Sequence, residues 1–259
     1  MGWEEVDEGW GARARDWAYL FETGWWPEFD EVLRAAGVGE GTRHLDVCCG
    51  SGLAVQMADR RGATVHGLDA SDRLLAVARA RTPDGDIRHG DMHALPWDDG
   101  SFDVVSSFRG IWGTNDQAVV EAARMLRPGG AFAVTFFPVD DPAPWDQWWS
   151  SITCLSDHEL AVGAALGSIA DEGRIEEMCE AAGLEPGGRR SIHFEVEVPD
   201  LEDFVRASLS AGPTWKAIEE RGQDDVEESL RRDFTPLWDE KVGLRIGVAV
   251  EYLIATKPA

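Results

Sequence analysis

The sequence predicts an α/β protein built on a doubly wound, Rossmann-like sheet of seven strands with helical caps or insertions. Three observations lead to this fold class. Apolar strands alternate with amphipathic helices at short spacing between His44 and Phe137. A glycine-rich turn joins the first of these strands to the first helix, as in nucleotide-binding α/β folds. The chain has 259 residues, 44% of them hydrophobic, which is enough to bury one such core with added segments.

The strands predicted in this regular part are short, apolar and bounded by turn residues. They are His44–Val47, Thr64–Leu68, Asp86–His89, Phe102–Phe108 and Ala131–Phe137. The helices predicted between them are Leu53–Arg61, one from Ser71 to Arg81, and one from Asn115 or Asp116 to Leu126. Because strand and helix alternate, we expect a parallel sheet that is covered on both faces.

The remainder of the chain is less regular. The segment Pro138–Ser156 is rich in Pro, Trp and Asp and is predicted to be an insertion without a helical period. A helix is predicted at Gly173–Ala182 and a longer helical stretch at Leu201–Arg232. Two late strands, Ser191–Val198 and Ile246–Thr256, complete the seven, and the last strand is expected to run antiparallel to the others.

Charge and composition exclude several classes of function. The net charge is −24, from 24 basic and 48 acidic residues, and the basic residues form no patch that could attract nucleic acid or anionic lipid. No apolar run is long enough for a membrane span, and the acidic start does not resemble a signal peptide, so a cytoplasmic protein is expected. The four cysteines lack metal-binding spacing, and no metal site is predicted. The scarcity of lysine indicates a GC-rich bacterial gene.

The glycine-rich turn follows the first strand and reads Asp46-Val47-Cys48-Cys49-Gly50-Ser51-Gly52. Such a turn lets a ligand approach the backbone at the start of a helix. Nineteen residues after Gly50, Asp69 ends the second strand, where a carboxylate can accept hydrogen bonds from two ribose hydroxyls. Together these features predict a cofactor that contains adenosine.

Two details favour a cofactor without phosphates. The dinucleotide fingerprint needs a small residue at position 55, where this chain has Val55. Asp46 places a carboxylate near the turn, which would repel a pyrophosphate but suits an amino group or a sulfonium, although Asp46 could instead have a purely structural role. S-adenosylmethionine meets both conditions. A nicotinamide-dependent oxidoreductase remains a less favoured alternative.

Four segments, in order, resemble the class I S-adenosylmethionine-dependent methyltransferases, in particular their small-molecule, methyltransferase-11-like branch. The segments are LDVCCGSG, GLDAS, GDMHALPWDDGSFDVV and RMLRPGG. The resemblance covers roughly residues 44–137 and departs from the family at Cys48, where glycine is usual. It implies a seven-stranded sheet, S-adenosylmethionine as cofactor, and methyl transfer to an O, N or C atom.

The resemblance also implies roles for residues in the first two motifs. Gly50 and Gly52 would line the methionine and ribose part of the cofactor, and Cys48 would contribute backbone there. Asp69 would bind the ribose diol, with Ala70 beside the adenosine. Asp46 is included among the candidate cofactor residues.

In the later motifs, Asp91 would accept a hydrogen bond from the adenine amine, and Met92 would cover the ring. Ser107, at the end of the fourth strand, would lie near the methionine moiety. Arg109 and Trp112 follow where family members often face substrate, and Arg109 could hold a carboxylate of the cofactor or the substrate.

General bases and substrate contacts are less clearly marked in the sequence. His93 and His158 are the histidines retained as candidate catalytic residues, together with Arg109. Tryptophan is frequent, with 12 residues. Three of them, Trp3, Trp10 and Trp17, recur every seven residues and predict either a core-facing stripe of an N-terminal helix or a lid. Three others lie in the insertion and are expected to line a pocket mouth; they are Trp145, Trp148 and Trp149.

The predicted organisation has four parts. Residues 1–30 form an N-terminal helical cap and residues 31–137 the cofactor-binding core. Residues 138–170 form a substrate insertion, and residues 171–259 complete the core with a helical insertion at 201–238. The predicted acceptor is a hydrophobic, cyclic or aromatic small molecule of secondary metabolism, and the protein is expected to be a monomer or homodimer. A non-methylating enzyme such as a cyclase, or a cofactor-gated binder, is the alternative on the same fold.

Overall fold

The computed structural model describes residues 6–138, 144–153 and 169–259, and within them eight strands form one sheet. The strands are β1 (Arg43–Val47), β2 (Thr64–Asp69), β3 (Asp86–His89), β4 (Phe102–Phe108), β5 (Leu126–Phe136), β6 (Glu185–Pro186), β7 (Arg190–Val198) and β8 (Leu244–Thr256). Their order is β3-β2-β1-β4-β5-β8-β6, and β7 also pairs with β8. Strands β1 to β5 are parallel, and β8 is antiparallel to β5.

This topology confirms the predicted Rossmann-like sheet and its antiparallel last strand, with the short β6 added. Strand β8 has 13 residues and pairs with three neighbours, the shortest of which is β6. Its first part pairs with β7 from Leu244 to Tyr252, and its last part pairs with β5 from Glu251 to Thr256. Strand β5 begins at Leu126 rather than at Ala131, so the turn residues before the predicted strand already belong to it.

Eleven α-helical segments lie within the described residues. They are α1 (Val6–Gly9), α2 (Ala14–Asp16), α3 (Trp26–Ala35), α4 (Leu53–Asp59), α5 (Asp72–Arg81), α6 (Asp116–Met125), α7 (Pro144–Thr153), α8 (Arg174–Ala181), α9 (Leu201–Leu209), α10 (Gly212–Arg221) and α11 (Gln223–Phe234). The long helical stretch predicted near the C-terminus is therefore three helices. Gly222, with φ of 87°, separates α10 from α11, since this backbone conformation is open mainly to glycine.

Helices cover both faces of the sheet. Neighbouring residues on a strand point to opposite faces, so Val104 and Val105 of β4 enter different cores. Val105 packs with residues of α6 and α8, and Val104 packs with residues of α3, α4 and α5. A separate apolar cluster joins α9, α10 and α11 to α7 and to Trp25. The arrangement is the doubly wound one that the sequence predicts.

The N-terminal part differs from the single tryptophan-striped helix that the spacing suggests. Between α2 and α3 the chain forms a π-helix (Trp17–Phe21) and a 3₁₀ helix (Glu22–Trp25), and α3 then starts with Pro27 in its first turn. Trp10 and Trp17 still meet, edge to face, with ring centroids 4.9 Å apart. Trp3 lies outside the described residues. We call residues 6–35 the N-terminal segment.

The insertion predicted after β5 also differs from expectation. Its described part contains α7, which carries Trp145, Trp148 and Trp149 on one helix rather than on an irregular loop. The Oγ of Ser151 lies 2.7 Å from Oδ2 of Asp233, and this bond ties α7 to α11. The helix therefore belongs to the packed cap.

Candidate cofactor and substrate site

The turn after β1 folds by placing three residues in the left-handed backbone region. Cys48, Gly50 and Gly52 have φ of 62°, 54° and 79°. Cys48 stands where the family usually has glycine, and its conformation costs about 1–2 kcal/mol for a residue with a Cβ. The turn is held to β2 because the N–H of Cys49 donates to the carbonyl oxygen of Leu68 at 3.0 Å. We call residues 48–52 the cofactor loop.

The two glycines of the loop have different surroundings. A Cβ on Gly52 would lie 2.7 Å from the Cβ of Ala78, so Gly52 allows the start of α4 to pack closely on α5. A Cβ on Gly50 would meet nothing nearer than 3.8 Å. The space that a ligand could enter therefore lies over Gly50, whereas Gly52 has a packing reason of its own.

Asp69 ends β2 beside this loop. Its Oδ2 accepts from the N–H of Gly50 at 2.8 Å, and its Oδ1 accepts from the N–H of Ser71 at 2.9 Å. Burial raises the pKa of Asp69, while these two backbone donors and the N–H of Ala70 lower it. A carboxylate has about four acceptor positions, so Asp69 keeps capacity for a ligand. The geometry thus suits the ribose diol that the resemblance implies, although this role stays a prediction.

The turn after β3 comes into contact with the cofactor loop. The Sγ of Cys48 lies 3.5 Å from the Sδ of Met92. Asp91 Oδ1 accepts from the N–H of His93 at 2.9 Å and lies 2.7 Å from Nδ1 of the same residue. Nε2 of His93 is 3.5 Å from Nδ2 of Asn115. The structure therefore brings the candidate base His93 to the carboxylate that is predicted to bind adenine.

Ser107 is fully buried at the end of β4. Its Oγ has no hydrogen-bond partner in the part of the chain that the structure describes. A Cβ on Gly110 would lie 3.0 Å from this oxygen and 3.1 Å from the Sγ of Cys48, so Ser107 and the cofactor loop adjoin the same turn. A buried hydroxyl without a partner costs free energy, and a bound ligand could satisfy it.

Two further residues in this region have partners within the fold. The carbonyl oxygen of Ala70 lies 3.0 Å from Nε2 of His89. The backbone N–H of Trp112 donates to Oδ1 of Asn115 at 2.9 Å, and the Trp112 side chain is half-buried.

Asp46 lies inside the sheet rather than at its edge. Its Oδ1 accepts from the Oγ of Ser106 at 2.7 Å, and that Oγ is 2.8 Å from Nε2 of His44. Burial raises the pKa of Asp46 to about 8. A carboxyl that is mostly protonated at pH 7 repels a pyrophosphate less than the sequence argument assumes. This geometry favours the structural alternative for Asp46.

A polar cluster that sequence reasoning missed joins the N-terminal segment to the cofactor loop. Glu22 is buried and accepts hydrogen bonds from the Oγ of Ser51 and from Nη1 of Arg81. Arg81 also donates to the carbonyl oxygen of Ala18 at 2.6 Å. Burial raises the pKa of Glu22, and the neighbouring Arg81 opposes this shift. No local pattern marks this cluster, because its members lie up to 63 residues apart.

The position of Glu22 supplies a second argument against a dinucleotide. Its carboxylate accepts a bond from the backbone N–H of Leu53, the first residue of α4. Dinucleotide-binding folds place the pyrophosphate at the corresponding end of the first helix. Here a carboxylate of the chain already lies there, and it would repel an added phosphate.

Arg109, at φ of 58°, pairs with a carboxylate of the chain itself. Its Nε donates to Oε1 of Glu28 at 3.2 Å, and its Nη2 lies 3.0 Å from Oε2. Thr135 Oγ1 also donates to Glu28. Burial raises the pKa of Glu28, and the Arg109 charge opposes this rise. The expected ligand carboxylate is therefore replaced by Glu28, which the sequence did not single out.

The tryptophans of α7 also correct an expectation. Trp148 is 5% exposed and packs in the apolar cluster that joins α7 to α9, α10 and α11. Its ring centroid lies 6.4 Å from that of Phe21. Trp149 packs against Trp148 and is partly buried. Trp148 is thus part of a core rather than of a pocket mouth, because the helix turns it inward. His158 lies outside the described residues.

The described ranges contain no group of three His, Cys, Asp or Glu side chains that could hold a metal ion. None of the helices described is long and apolar enough to cross a membrane.

Comparison with known proteins supports the resemblance seen in the motifs. Residues 45–134 match the family model of the methyltransferase domain. The chain is 40% identical over 216 residues to a probable S-adenosylmethionine-dependent methyltransferase of Mycolicibacterium smegmatis, covering 80% of this chain and 77% of that protein. It is 34% identical over 111 residues to demethylmenaquinone methyltransferase of Bacillus subtilis, covering 39% of this chain and only 48% of that relative.

The fold agrees with this relationship. Phosphoethanolamine N-methyltransferase 2 of Haemonchus contortus, solved in complex with S-adenosyl-L-methionine, aligns with a TM-score of 0.63 at 18% identity. The alignment covers 100% of this chain and 60% of that one. These findings favour the predicted methyltransferase over the oxidoreductase alternative. The chain belongs to the S-adenosylmethionine-dependent methyltransferases, with the class I fold and S-adenosyl-L-methionine as its cofactor.

Proposed function

We propose that this methyltransferase acts on an O, N or C atom of an uncharged, hydrophobic and cyclic small molecule. The observation that carries the proposal is an aromatic wall at the carboxyl ends of β4 and β5, in which the exposed Phe137 and the half-buried Phe108 are backed by the buried Trp25 and Phe29. Phe29 meets Phe108 edge to face at 4.8 Å between ring centroids, and Trp25 meets Phe137 at 5.7 Å. Aromatic surfaces bind flat or apolar molecules at low entropic cost.

The charges beside this wall support an uncharged acceptor. The guanidinium of Arg109 lies 3.9 Å from the ring centroid of Trp25 and is paired with Glu28. Each charge is therefore neutralised by its partner. An acceptor with a net charge would have to compete with a buried ion pair, whose separation is costly.

The residues present fit the cofactor. Asp69 has free acceptor capacity for the ribose hydroxyls, and Asp91 and Met92 lie together for adenine. The buried Oγ of Ser107 lacks a partner among the described residues, and the space over Gly50 is open. When bound, S-adenosyl-L-methionine would supply a methyl group on a sulfonium; the acceptor atom would bond to this methyl in line while the S–CH3 bond breaks and S-adenosylhomocysteine leaves.

The residues of the chain then act mainly by alignment. The aromatic wall would orient the acceptor and exclude water, and proximity of this kind supplies much of the rate in group transfer. Nδ1 of His93 is engaged with Asp91, so we assign His93 a positioning role at the adenine side rather than that of a base. The predicted contribution of Trp112 to substrate binding remains part of this proposal.

The test measures transfer of a radiolabelled methyl group from S-adenosyl-L-methionine to a panel of acceptors. One group holds neutral ring compounds, such as 1,4-naphthohydroquinone and a flavonol, and the other holds phosphoethanolamine and sarcosine. We expect label only in the ring compounds. Label only in the charged acceptors would overturn the proposal, and so would a lack of label in every compound.

Phe137→Ala sharpens this test, because Phe137 is 40% exposed and belongs to the aromatic wall. We expect a rise in KM for the ring acceptor of roughly tenfold, with affinity for S-adenosylhomocysteine within about twofold. Val242→Ala removes a 52% exposed apolar side chain elsewhere and should leave both quantities unchanged. A loss of cofactor affinity with unchanged acceptor KM would contradict the assignment of the wall to the acceptor.

A further inference from the structure

The N-terminal segment brings two polar atoms over the open glycine of the cofactor loop. A Cβ built on Gly50 would lie 3.8 Å from Nε1 of Trp17 and 3.8 Å from Oε1 of Glu22, with nothing nearer. One of these atoms is a hydrogen-bond donor and the other is an acceptor. They come from residues five positions apart, on the π-helix and at the start of the following 3₁₀ helix.

Both side chains are held in place by other contacts. The Trp17 ring stacks on Phe21, with centroids 4.9 Å apart and an angle of 16° between the planes. The other oxygen of Glu22 is bound by Ser51 and Arg81, which fixes the carboxylate over the loop. The indole N–H of Trp17 donates to no acceptor among the described residues. A fixed donor and a fixed carboxylate acceptor thus face the same open space.

This pairing matches the two charged groups of an α-amino acid. An ammonium group donates hydrogen bonds and a carboxylate accepts them, and charge-assisted bonds are the stronger kind. Asp69 and the Asp91–Met92 pair are already assigned to ribose and adenine, which leaves the space over Gly50 for the remaining end of the cofactor. We propose that Trp17 and Glu22 bind the methionyl end of S-adenosyl-L-methionine. The indole N–H donates to its α-carboxylate, and Glu22 Oε1 accepts from its α-ammonium.

The proposal gives the N-terminal segment a direct part in cofactor binding. It does not depend on the nature of the methyl acceptor. It also makes the segment selective for the amino acid end, because adenosine compounds without that end would gain nothing from Trp17 or Glu22.

Three ligands distinguish the contribution of the α-carboxylate from that of the α-ammonium. Calorimetry measures the binding of each ligand to the full chain. S-adenosylhomocysteine carries both groups, 5′-(3-aminopropylthio)-5′-deoxyadenosine carries the amine alone, and 5′-methylthioadenosine carries neither. We expect Trp17→Phe to weaken the binding of S-adenosylhomocysteine about tenfold, since one charge-assisted bond is lost. The affinities for the other two ligands should stay within about twofold. We expect Glu22→Gln to weaken both amine-containing ligands by a similar factor and to spare 5′-methylthioadenosine.

Trp26→Phe is the matched control, because it removes an indole from a 57% exposed residue of the same segment and should change no affinity. Equal weakening of all three ligands by Trp17→Phe would overturn the proposal, and so would no weakening of any. If Glu22→Gln fails to fold, the response of Trp17→Phe to the first two ligands decides alone. Failure of the unmodified protein to bind S-adenosylhomocysteine would refute the cofactor itself, whatever the variants do.

Discussion

The strands of the parallel core and the N-terminal segment both bury carboxylates, and they satisfy them differently. In the core, Asp46 accepts from a serine hydroxyl, and Asp69 accepts from two backbone N–H groups. In the N-terminal segment, Glu22 pairs with Arg81 and Glu28 pairs with Arg109. Each of these glutamates comes from the segment, and each arginine comes from the core.

This difference shows how the two regions are joined. Neutral donors from the sheet and its turns hold Asp46 and Asp69, without a contribution from the segment. The segment is attached through two buried ion pairs and through aromatic packing around Trp25. A buried charge that loses its partner is strongly destabilising, so we expect the attachment to be sensitive to single substitutions.

The largest effect, on the free energy of unfolding, is expected when the Glu28–Arg109 pair is broken. Arg109→Met leaves Glu28 buried without its counter-charge and should lower the free energy of unfolding by about 3–5 kcal/mol. Urea denaturation measures this change. The double variant Glu28→Gln with Arg109→Met should recover much of the loss, because no unpaired charge remains.

The exposed pair Glu31–Arg34 on α3 is the control. Arg34→Met should cost less than about 1 kcal/mol, the usual range for surface pairs. Equal costs for Arg34→Met and Arg109→Met would show that the segment is not attached through buried charge.

An effect of intermediate size, on cofactor affinity, is expected when Asp69 in the core is replaced. Asp69→Ala should weaken S-adenosylhomocysteine binding by about 1.5–3 kcal/mol, the range for hydrogen bonds to a charged group. Calorimetry should show no binding of NAD to either protein. Asp72→Ala, at the start of α5, removes an exposed carboxylate nearby and should leave the affinity as it was. Unchanged affinity in Asp69→Ala would remove the ribose role from this residue.

The smallest effect is expected when Asp46 is replaced, and here the free energy of unfolding should rise rather than fall. The carboxyl titrates near 3.8 when unfolded, and burial raises its pKa to about 8 in the fold. Folding must therefore take up a proton between these values, and Asp46 increasingly opposes folding as the pH rises through this range. Asp46→Asn keeps an acceptor for Ser106 and does not titrate. We expect it to raise the free energy of unfolding by about 1 kcal/mol or more at pH 8.

The pH dependence distinguishes this explanation from simple repacking. The gain from Asp46→Asn should shrink as the pH falls from 8 towards 4, because the pH then approaches the unfolded-state pKa of 3.8 and the free-energy cost of taking up the proton on folding falls. Thermal unfolding at several pH values provides the measurement. A gain that is the same at pH 5 and pH 8 would mean that the charge of Asp46 is not its cause.

Much of the core could be predicted because its signals are local. Strands β2, β3 and β4 lie close to where the apolar patterns place them, and Ser71 caps α5 by accepting from the N–H of Leu74. The motifs also predicted the family and its cofactor. The roles of Asp91, Met92 and Ser107 remain predictions, although the structure brings them to the surroundings of Cys48.

The substrate side was predicted less well because its contacts are long-range. The three tryptophans near residue 148 suggested a pocket mouth, but the helical turn of α7 directs Trp148 into the cap. Arg109 suggested a ligand carboxylate, but Glu28, 81 residues away in the chain, supplies one from within the fold. No periodicity connects positions so distant, and a buried Glu looks in sequence like any exposed one.

The sequence by itself determined the parallel sheet, the cofactor loop and the acidic residues at the strand ends. These follow from apolar residues that recur every two residues in strands and every 3.6 residues in helices, and from the residue types that favour turns. Both signals act between neighbours in the chain. The tertiary structure alone decided which buried carboxylates meet which arginines, and that the segment carrying Trp17 and Glu22 crosses over Gly50. Those contacts arise when separate elements pack together, and burial then makes each charge require a partner.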